Sequence, residues 1–268
     1  MPYPPNYGGV IDVFYRIKAL AQLGVKIHLH CFEYNRPAKA ELNEYCAKVS
    51  VYQRKTGYLP HVGLRPYIVQ SRRNPTLLTA LQADHAPILF EGIHCTGYLD
   101  HPKLNARKKI VRAHNIEWQY YRNLQQLERA FIPKMYAALE WRKLIRWDHK
   151  LKLADHLLTI SERDESHYRQ VHSNTLLVYP FHGNLAVDFT SVDENYVLFH
   201  GDLSIGDNVA VAQFLIDQFS GKAYPLILAG RSPKKALFNR VEQEPNVRLI
   251  ANPDGPSMIQ LIRKAKIN

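Results

Sequence analysis

The sequence predicts an α/β protein built on parallel sheets and divided into two domains. Three observations carry that prediction. Short apolar runs alternate with stretches of helical spacing along most of the chain, turn residues separate them, and one polar segment holding Pro180 and Gly183 interrupts the alternation. The length of 268 residues fits two domains at about 150 residues each.

Taken in order, Gly8-Gly9 leads into residues 10–23, where Val10, Val13, Phe14, Ile17, Ala21 and Leu23 keep helical spacing. Gly24 ends that helix, and residues 25–31 alternate as a strand. Residues 74–82 read as helix, 87–90 and 109–113 as strands, and 116–152 as one or two long helices interrupted near Pro133. Residues 156–160 read as a strand, Ser161 with Asp164 caps the next helix, and residues 176–178 close the first half. Beyond a linker at 179–195 the pattern restarts, with strands at 196–200, 225–228 and 247–250 and helices at 207–219, 233–241 and 256–265. Strand and helix in alternation imply βαβ units, hence two Rossmann-like domains, 1–180 and 181–268.

Both ends read as cut. The glycine pair stands near the start with no apolar run before it, and residues 265–268 fall where a strand should begin. The second domain is therefore expected to be incomplete, with three strands and an exposed apolar edge, in a portion of a longer protein.

Apolar residues make up 46% and charged residues 22%, which disfavours disorder and fibrous structure. No run of eighteen apolar residues and no signal-peptide layout appears, so the expectation is a cytoplasmic protein, soluble or peripheral on the membrane face. Cys31, Cys46 and Cys95 are odd in number and have no CxxC spacing, and they read as reduced thiols. Charge is the unusual feature. Residues 1–180 carry 26 basic and 15 acidic residues, whereas 181–268 carry 9 of each, so the whole net charge of +11 belongs to the first domain. Such asymmetry points to an anionic partner docking on that domain.

Gly8 and Gly9 before a helix suit a phosphate-binding turn, although a pair of glycines also serves an ordinary turn. His114, Asn115 and Glu117 follow the strand at 109–113, and Glu91 and His94 follow the strand at 87–90. Both groups stand at the edge where open α/β sheets bind ligands, and the competing reading is a helix cap and loop hydrogen bonds. Arg231 and Lys235 open a helix, where cations oppose the macrodipole unless an anion sits there. Leu144, Trp147, Leu151 and Ala154 form a stripe among basic residues, which suits an anionic membrane but fits a core better. The absence of Walker A, HExxH, GxSxG and zinc-spaced clusters disfavours serine hydrolases and zinc enzymes, and no metal ligand set is expected.

The blocks "PYPPNYGGVIDVFYRIKALAQLGVKIHLHCF", "VRAHNIEWQYYRNL", "ADHLLTISERDESHY", "YVLFHGDLSIGDNVAVAQFLI", "LILAGRSPKKAL" and "NVRLIANPDGPSMIQLIRKAKIN" resemble family 4 glycosyltransferases of the GT-B fold, in the same order. The resemblance implies two Rossmann-like domains facing across a cleft, the first for the acceptor and the second for a nucleotide-sugar, with retention at the anomeric carbon. It implies that Gly8 and Gly9 lie near the donor diphosphate, that His114 is the catalytic polar position near the sugar, that Gly201 and Ser204 face the diphosphate, and that Ala251 and Asn252 meet the base. Glu91, His94, Arg112 and Glu117 are assigned to the acceptor side. The nucleotide-sugar is a substrate, so no cofactor is expected.

Where the family often has an Arg and a Lys to neutralise the diphosphate, this chain has Asp202 and Asn208, leaving Arg231 or Lys235 to take that task. The family's paired glutamates and final helix would follow Asn268, so full activity of this chain is not expected.

The function expected is a retaining transfer of sugar to a glycan or lipid-linked acceptor in bacterial envelope polysaccharide synthesis. Peripheral contact with an anionic membrane fits the basic first domain. The alternatives are a non-catalytic protein that kept the fold and binds a nucleotide-sugar or another anionic ligand, a nucleic-acid binder resting on charge alone and not expected, and an epimerase of the same fold.

Overall fold

The computed structural model describes residues 1–6, 8–33, 40–183 and 194–268. It divides into two compact units, Met1–Gly183 and Asn184–Asn268. Both are α/β and compatible with a Rossmann-like fold, and every strand pairing is parallel.

In unit 1, α1 (Gly8–Gln22) precedes β1 (His28–Glu33) and β2 (Lys48–Gln53), which pair as a two-stranded sheet. The short helices α2 (Tyr67–Gln70) and α3 (Pro75–Leu81) then lead to a four-stranded sheet. Its order is sequential: β3 (Ile88–Glu91), β4 (Lys109–Ala113), β5 (His156–Thr159), β6 (Thr175–Leu177). Between β4 and β5 stand α4 (Glu117–Leu127) and α5 (Phe131–Asp148), and α6 (Glu162–Arg169) joins β5 to β6. Val111, Ala113, Leu157, Leu151 and Tyr168 are among the most deeply buried residues of the core, which also takes in Tyr52 from β2.

Capping residues fix several boundaries. Asn74 accepts from the Thr76 N–H at 2.8 Å at the start of α3, and Ser161 accepts from the Asp164 N–H at 3.2 Å at the start of α6.

Four expectations shift. The strand expected at 25–31 begins at His28, because the Val25 N–H still bonds to the Leu20 carbonyl at 3.1 Å in closing α1. The interruption expected near Pro133 falls between Leu127 and Phe131, and Pro133 itself sits in the first turn of α5, where a missing N–H costs no intrahelical bond. Of the linker expected at 179–195, residues 179–183 belong to unit 1, 194–195 open the next strand, and 184–193 lie outside the described residues. The sequence pattern gave no sign of β2 or α2.

The basic stripe is core. Leu144 and Leu151 are essentially inaccessible, Trp147 and Ala154 are buried, and the Trp147 indole donates to Thr96 Oγ1 at 2.8 Å. The three cysteines are free thiols, and burial pushes Cys31 and Cys95 up to about 11, which keeps them protonated and unreactive near neutral pH.

Unit 2 holds β7 (Glu194–Asp202), α7 (Gly206–Phe219), β8 (Leu226–Arg231), α8 (Lys235–Val241), β9 (Val247–Ala251), α9 (Gly255–Lys264) and β10 (Ala265–Ile267). The sheet order is β10-β7-β8-β9, so the expected three strands are four among the described residues. β10 occupies the edge expected to be exposed, with Ile267 opposite Val197. Counted from β7, this is a 3-2-1-4 order, and the direction of winding reverses between β7 and β10.

Two apolar clusters cover the two faces of the unit 2 sheet. One joins Leu226 and Leu228 to Val209, Ile216 and Leu237, and the other joins Ile227 and Ala229 to Tyr196 and Leu198, with Met258 and Leu261 packed on it. Burial on both faces explains why residues 226–229 are apolar without alternation. Among the described residues no helix is long and apolar enough to cross a membrane.

Candidate functional site

The C-terminal ends of the unit 1 strands gather a cluster of charges. Glu91 ends β3, Arg112 lies in β4, His114 follows it, and α1 supplies Asp12 and Arg16. Arg112, with no exposed surface, donates from Nε and Nη2 to the two Asp12 oxygens at 3.0 and 3.1 Å. The second nitrogen also reaches the Tyr179 carbonyl at 3.3 Å, and the Phe181 N–H donates to Asp12 at 2.8 Å. Arg16 pairs with Glu91 and, at 3.6 Å, with Asp12. The Arg16 and Arg112 guanidiniums lie 5.9 and 6.0 Å from the Phe181 ring centre.

His114 Nε2 lies 3.3 Å from Glu91 Oε2 and 3.8 Å from Asp12 Oδ2. These approaches lack hydrogen-bond geometry. Arg112 Nη1, His114 Nε2 and Glu91 Oε2 are buried atoms with no hydrogen-bond partner among the described residues. Of these, His114 Nε2 and Glu91 Oε2 belong to partly exposed side chains and remain available to an entering polar group, whereas Arg112 is sealed inside.

Gly8 and Gly9 form the first turn of α1, and a side chain at either would meet nothing within 4 Å. Packing does not demand glycine there, and the open backbone suits close approach of a ligand. The first N–H groups of a helix have no intrahelical acceptor and carry its positive end. Asp12 is four residues past Gly8, so the cluster lies about one helical turn, roughly 5.4 Å, along α1 from these glycines. Tyr7 lies outside the described residues.

A second polar group adjoins the first. Gly92, at φ 80°, turns the chain so that the His94 ring covers it, and a Cβ there would come within 2.4 Å of that ring. Burial lowers the His94 imidazole well below its ordinary value, and Arg72, His114 and Arg54 act in the same direction, so this histidine is neutral. Burial raises the Glu117 carboxyl, against the pull of His114 and Arg72. Arg72 donates to the Ile68 carbonyl at 2.7 Å, and Arg54 donates to Ser71 Oγ at 3.2 Å and stacks on Tyr67. Burial raises Tyr136 to about 12, and Tyr121 further still.

The unit 2 sheet also brings its predicted residues to one edge. Strand register sets Gly201 beside Gly230, Asp202 beside Arg231 and Gly230 beside Ala251. Gly230 permits this approach, because a Cβ would stand 1.9 Å from the Gly201 carbonyl oxygen. Asn252, at φ 51°, donates from its N–H to the Gly230 carbonyl at 2.8 Å, and its side chain accepts from the Ser232 N–H at 2.8 Å. Ser204 is tied to Asp202 Oδ1 through its N–H at 3.0 Å and its hydroxyl at 2.5 Å. Arg231 pairs with the other Asp202 oxygen at 2.7 Å. The Ser204 hydroxyl, followed by Arg231, lowers the Asp202 carboxyl below its ordinary value. Lys235 opens the seven-residue α8.

Arg112 has no surface left for an acceptor and acts by positioning Asp12 and the chain around Phe181. Sequence reasoning missed Asp12, Arg16, Arg54 and Arg72. Asp12 and Arg16 carried one signal, opposite charges four residues apart directly after the glycine pair, which reads as a surface pair. A recess of about 550 Å³ lined by Lys108, Lys152, His156 and Asn174 lies at the opposite, N-terminal ends of β4 and β5, away from these groups.

Fold and site define an α/β protein whose parallel sheets carry polar clusters at their ligand-binding edges. No protein-family model matches the chain. It is similar to a protein of Klebsiella pneumoniae described as an uncharacterized 44.6 kDa protein in cps region, at 26% identity over 241 residues. The match covers 85% of this chain and 59% of that protein, so the chain spans less than two thirds of the length of its relative.

Proposed function

We propose that the chain is part of a nucleotide-sugar-dependent glycosyltransferase of polysaccharide synthesis, acting with retention on a glycan or lipid-linked acceptor. The observation that carries this reading is His114 beside Glu91, one turn along α1 from the open Gly8-Gly9 backbone. The similarity to a cps-region protein, taking cps as capsule polysaccharide, supports the polysaccharide setting.

The chemistry asked of such residues is modest. An acceptor hydroxyl loses its proton and bonds to the anomeric carbon, the bond from that carbon to the donor phosphate breaks, and its electron pair leaves with the diphosphate. Backbone N–H groups at a helix start stabilise that developing negative charge. The unused His114 nitrogen suits a sugar hydroxyl. Arg54 and Arg72 beside His94 suit an acceptor that carries phosphate or carboxylate. In unit 2, the reversal point beside β7 and the Asn252 turn suit the nucleotide part.

The test is mass-spectrometric product analysis of the full-length protein with a panel of nucleotide-sugars and membrane extract, run on the wild type, Gly9→Ala and His114→Ala. Glycosylated product from the wild type, falling at least tenfold in both variants with unchanged melting, is the expected result. Product formation that survives both substitutions refutes the assignment.

One observation favours a second reading, a protein that binds a nucleotide-sugar or another anionic ligand without transfer. Arg231, one of the two cations expected to meet a diphosphate at the unit 2 edge, is already paired with Asp202. Nucleotide-sugar affinity with no turnover on any acceptor would select that reading.

A further inference from the structure

The tip of the α4–α5 hairpin presents apolar side chains to solvent. Leu127, Phe131 and Ile132 are 68%, 73% and 79% exposed on either side of the short connection between the helices. Beside it, the loop before α2 exposes Tyr58, Val62 and Leu64 at 92%, 75% and 84%. The two segments are joined. His61 stacks on Tyr67 with ring centres 4.0 Å apart and meets the Tyr136 ring edge-on at 5.4 Å, while Lys143 donates to the His61 carbonyl at 2.9 Å. Tyr136 is one turn along α5 from Ile132, so all six exposed side chains belong to one region of unit 1.

A cluster of six large apolar side chains, each more than two-thirds exposed, exceeds the scattered exposure ordinary for a soluble surface. Its charge narrows the choice of partner. Residues 53–65 contain Arg54, Lys55 and Arg65 and no acid, and residues 118–139 contain Arg122, Arg129 and Lys134 against Glu128 alone. The Glu128 carboxylate is itself engaged by the Ala130 N–H at 2.9 Å. Lys55, Arg129 and Lys134 are exposed. Apolar side chains with exposed cations in the same two segments match a bilayer with anionic headgroups, where the cations meet phosphate and the apolar groups enter the acyl boundary. A second copy of this chain would bring like charge against like.

We propose that this region of unit 1 docks on an anionic lipid surface. The stripe containing Trp147 is interior, so the docking surface is the hairpin tip and the neighbouring loop. The proposal stands apart from the transferase reading, since docking requires no turnover.

The test is co-sedimentation of the full chain with vesicles of phosphatidylcholine alone and of phosphatidylcholine mixed equally with phosphatidylglycerol. The expected result is binding to the mixed vesicles at least tenfold stronger than to the neutral ones, weakened by salt. The triple variant Leu127→Ser, Phe131→Ser, Ile132→Ser should lose at least tenfold. The double variant Arg129→Glu, Lys134→Glu should lose about 25-fold or more, from about fivefold per basic residue. Both keep the buried side of the hairpin, so unchanged tryptophan fluorescence certifies the fold. Failure of the wild type to bind mixed vesicles overturns the proposal, as does equal binding by the triple variant. A dimer in light scattering that the triple variant converts to monomer, with no vesicle binding, overturns it in favour of self-association.

Discussion

Replacing Asp12 by Asn tests whether the buried charges organise unit 1. Asp12 is 4% exposed and Arg112 is fully buried, and the substitution leaves the Arg112 guanidinium facing an amide in place of a carboxylate. Breaking a buried pair by removing one partner costs about 3–5 kcal/mol. For a unit of 183 residues, at roughly 2–4 °C per kcal/mol, the melting temperature should fall by about 6–20 °C. The assay is built into the chain. Trp118, Trp141 and Trp147 are its three tryptophans and all belong to unit 1, so their fluorescence follows that unit even when the two units unfold separately. The double variant Asp12→Leu, Arg112→Met removes both charges and should recover at least half of the loss, the remainder reflecting the Phe181 N–H left without its acceptor. A cost below about 1 kcal/mol for Asp12→Asn, the value of an exposed pair, refutes the reasoning.

Three further outcomes are expected. Gly230→Ala sets a methyl carbon against the Gly201 carbonyl and should cost unit 2 about 3 kcal/mol or more, read as faster hydrogen exchange in β7 and β8 with tryptophan fluorescence unchanged. The unfolded chain binds a proton on His94 near pH 6.5 that the folded chain refuses, so its contribution to stability is present above that value and declines as pH falls through it. The urea midpoint of His94→Gln should therefore be less sensitive to acid than that of the wild type. Asp202→Asn removes the carboxylate charge opposite Arg231 and should strengthen the affinity of unit 2 for nucleoside diphosphates about tenfold by calorimetry, about 1.4 kcal/mol, and unchanged affinity shows that this charge does not gate that edge.

The parallel α/β plan was legible because strands buried on both faces, such as residues 226–229, are apolar throughout, whereas the helices between them keep a 3.6-residue period. Glu91 and His114 were legible for a related reason, since each is a polar residue directly after such a run. Asp12 and Arg16 were not, because their burial depends on a strand one hundred residues away, which no local pattern encodes. The stretch that became β2 is half-exposed and polar at both ends, so it lacks a clean alternation. The Asp202–Arg231 pair follows from register, which appears only once β7 and β8 are set side by side.

The bond between Asp12 and the Phe181 N–H spans 169 residues and carries a consequence in time. At about 5–20 residues per second of synthesis, Phe181 leaves the ribosome tunnel roughly 8–34 s after Asp12. Until β4 emerges, 100 residues after Asp12, α1 has no Arg112 to pair with, and the Phe181 N–H is the last of the Asp12 partners to arrive. Unit 1 therefore completes its contacts to its first helix only when its last residues arrive, and a truncation before residue 179 should leave α1 more open to proteolysis even though the sheet it docks on is nearly complete.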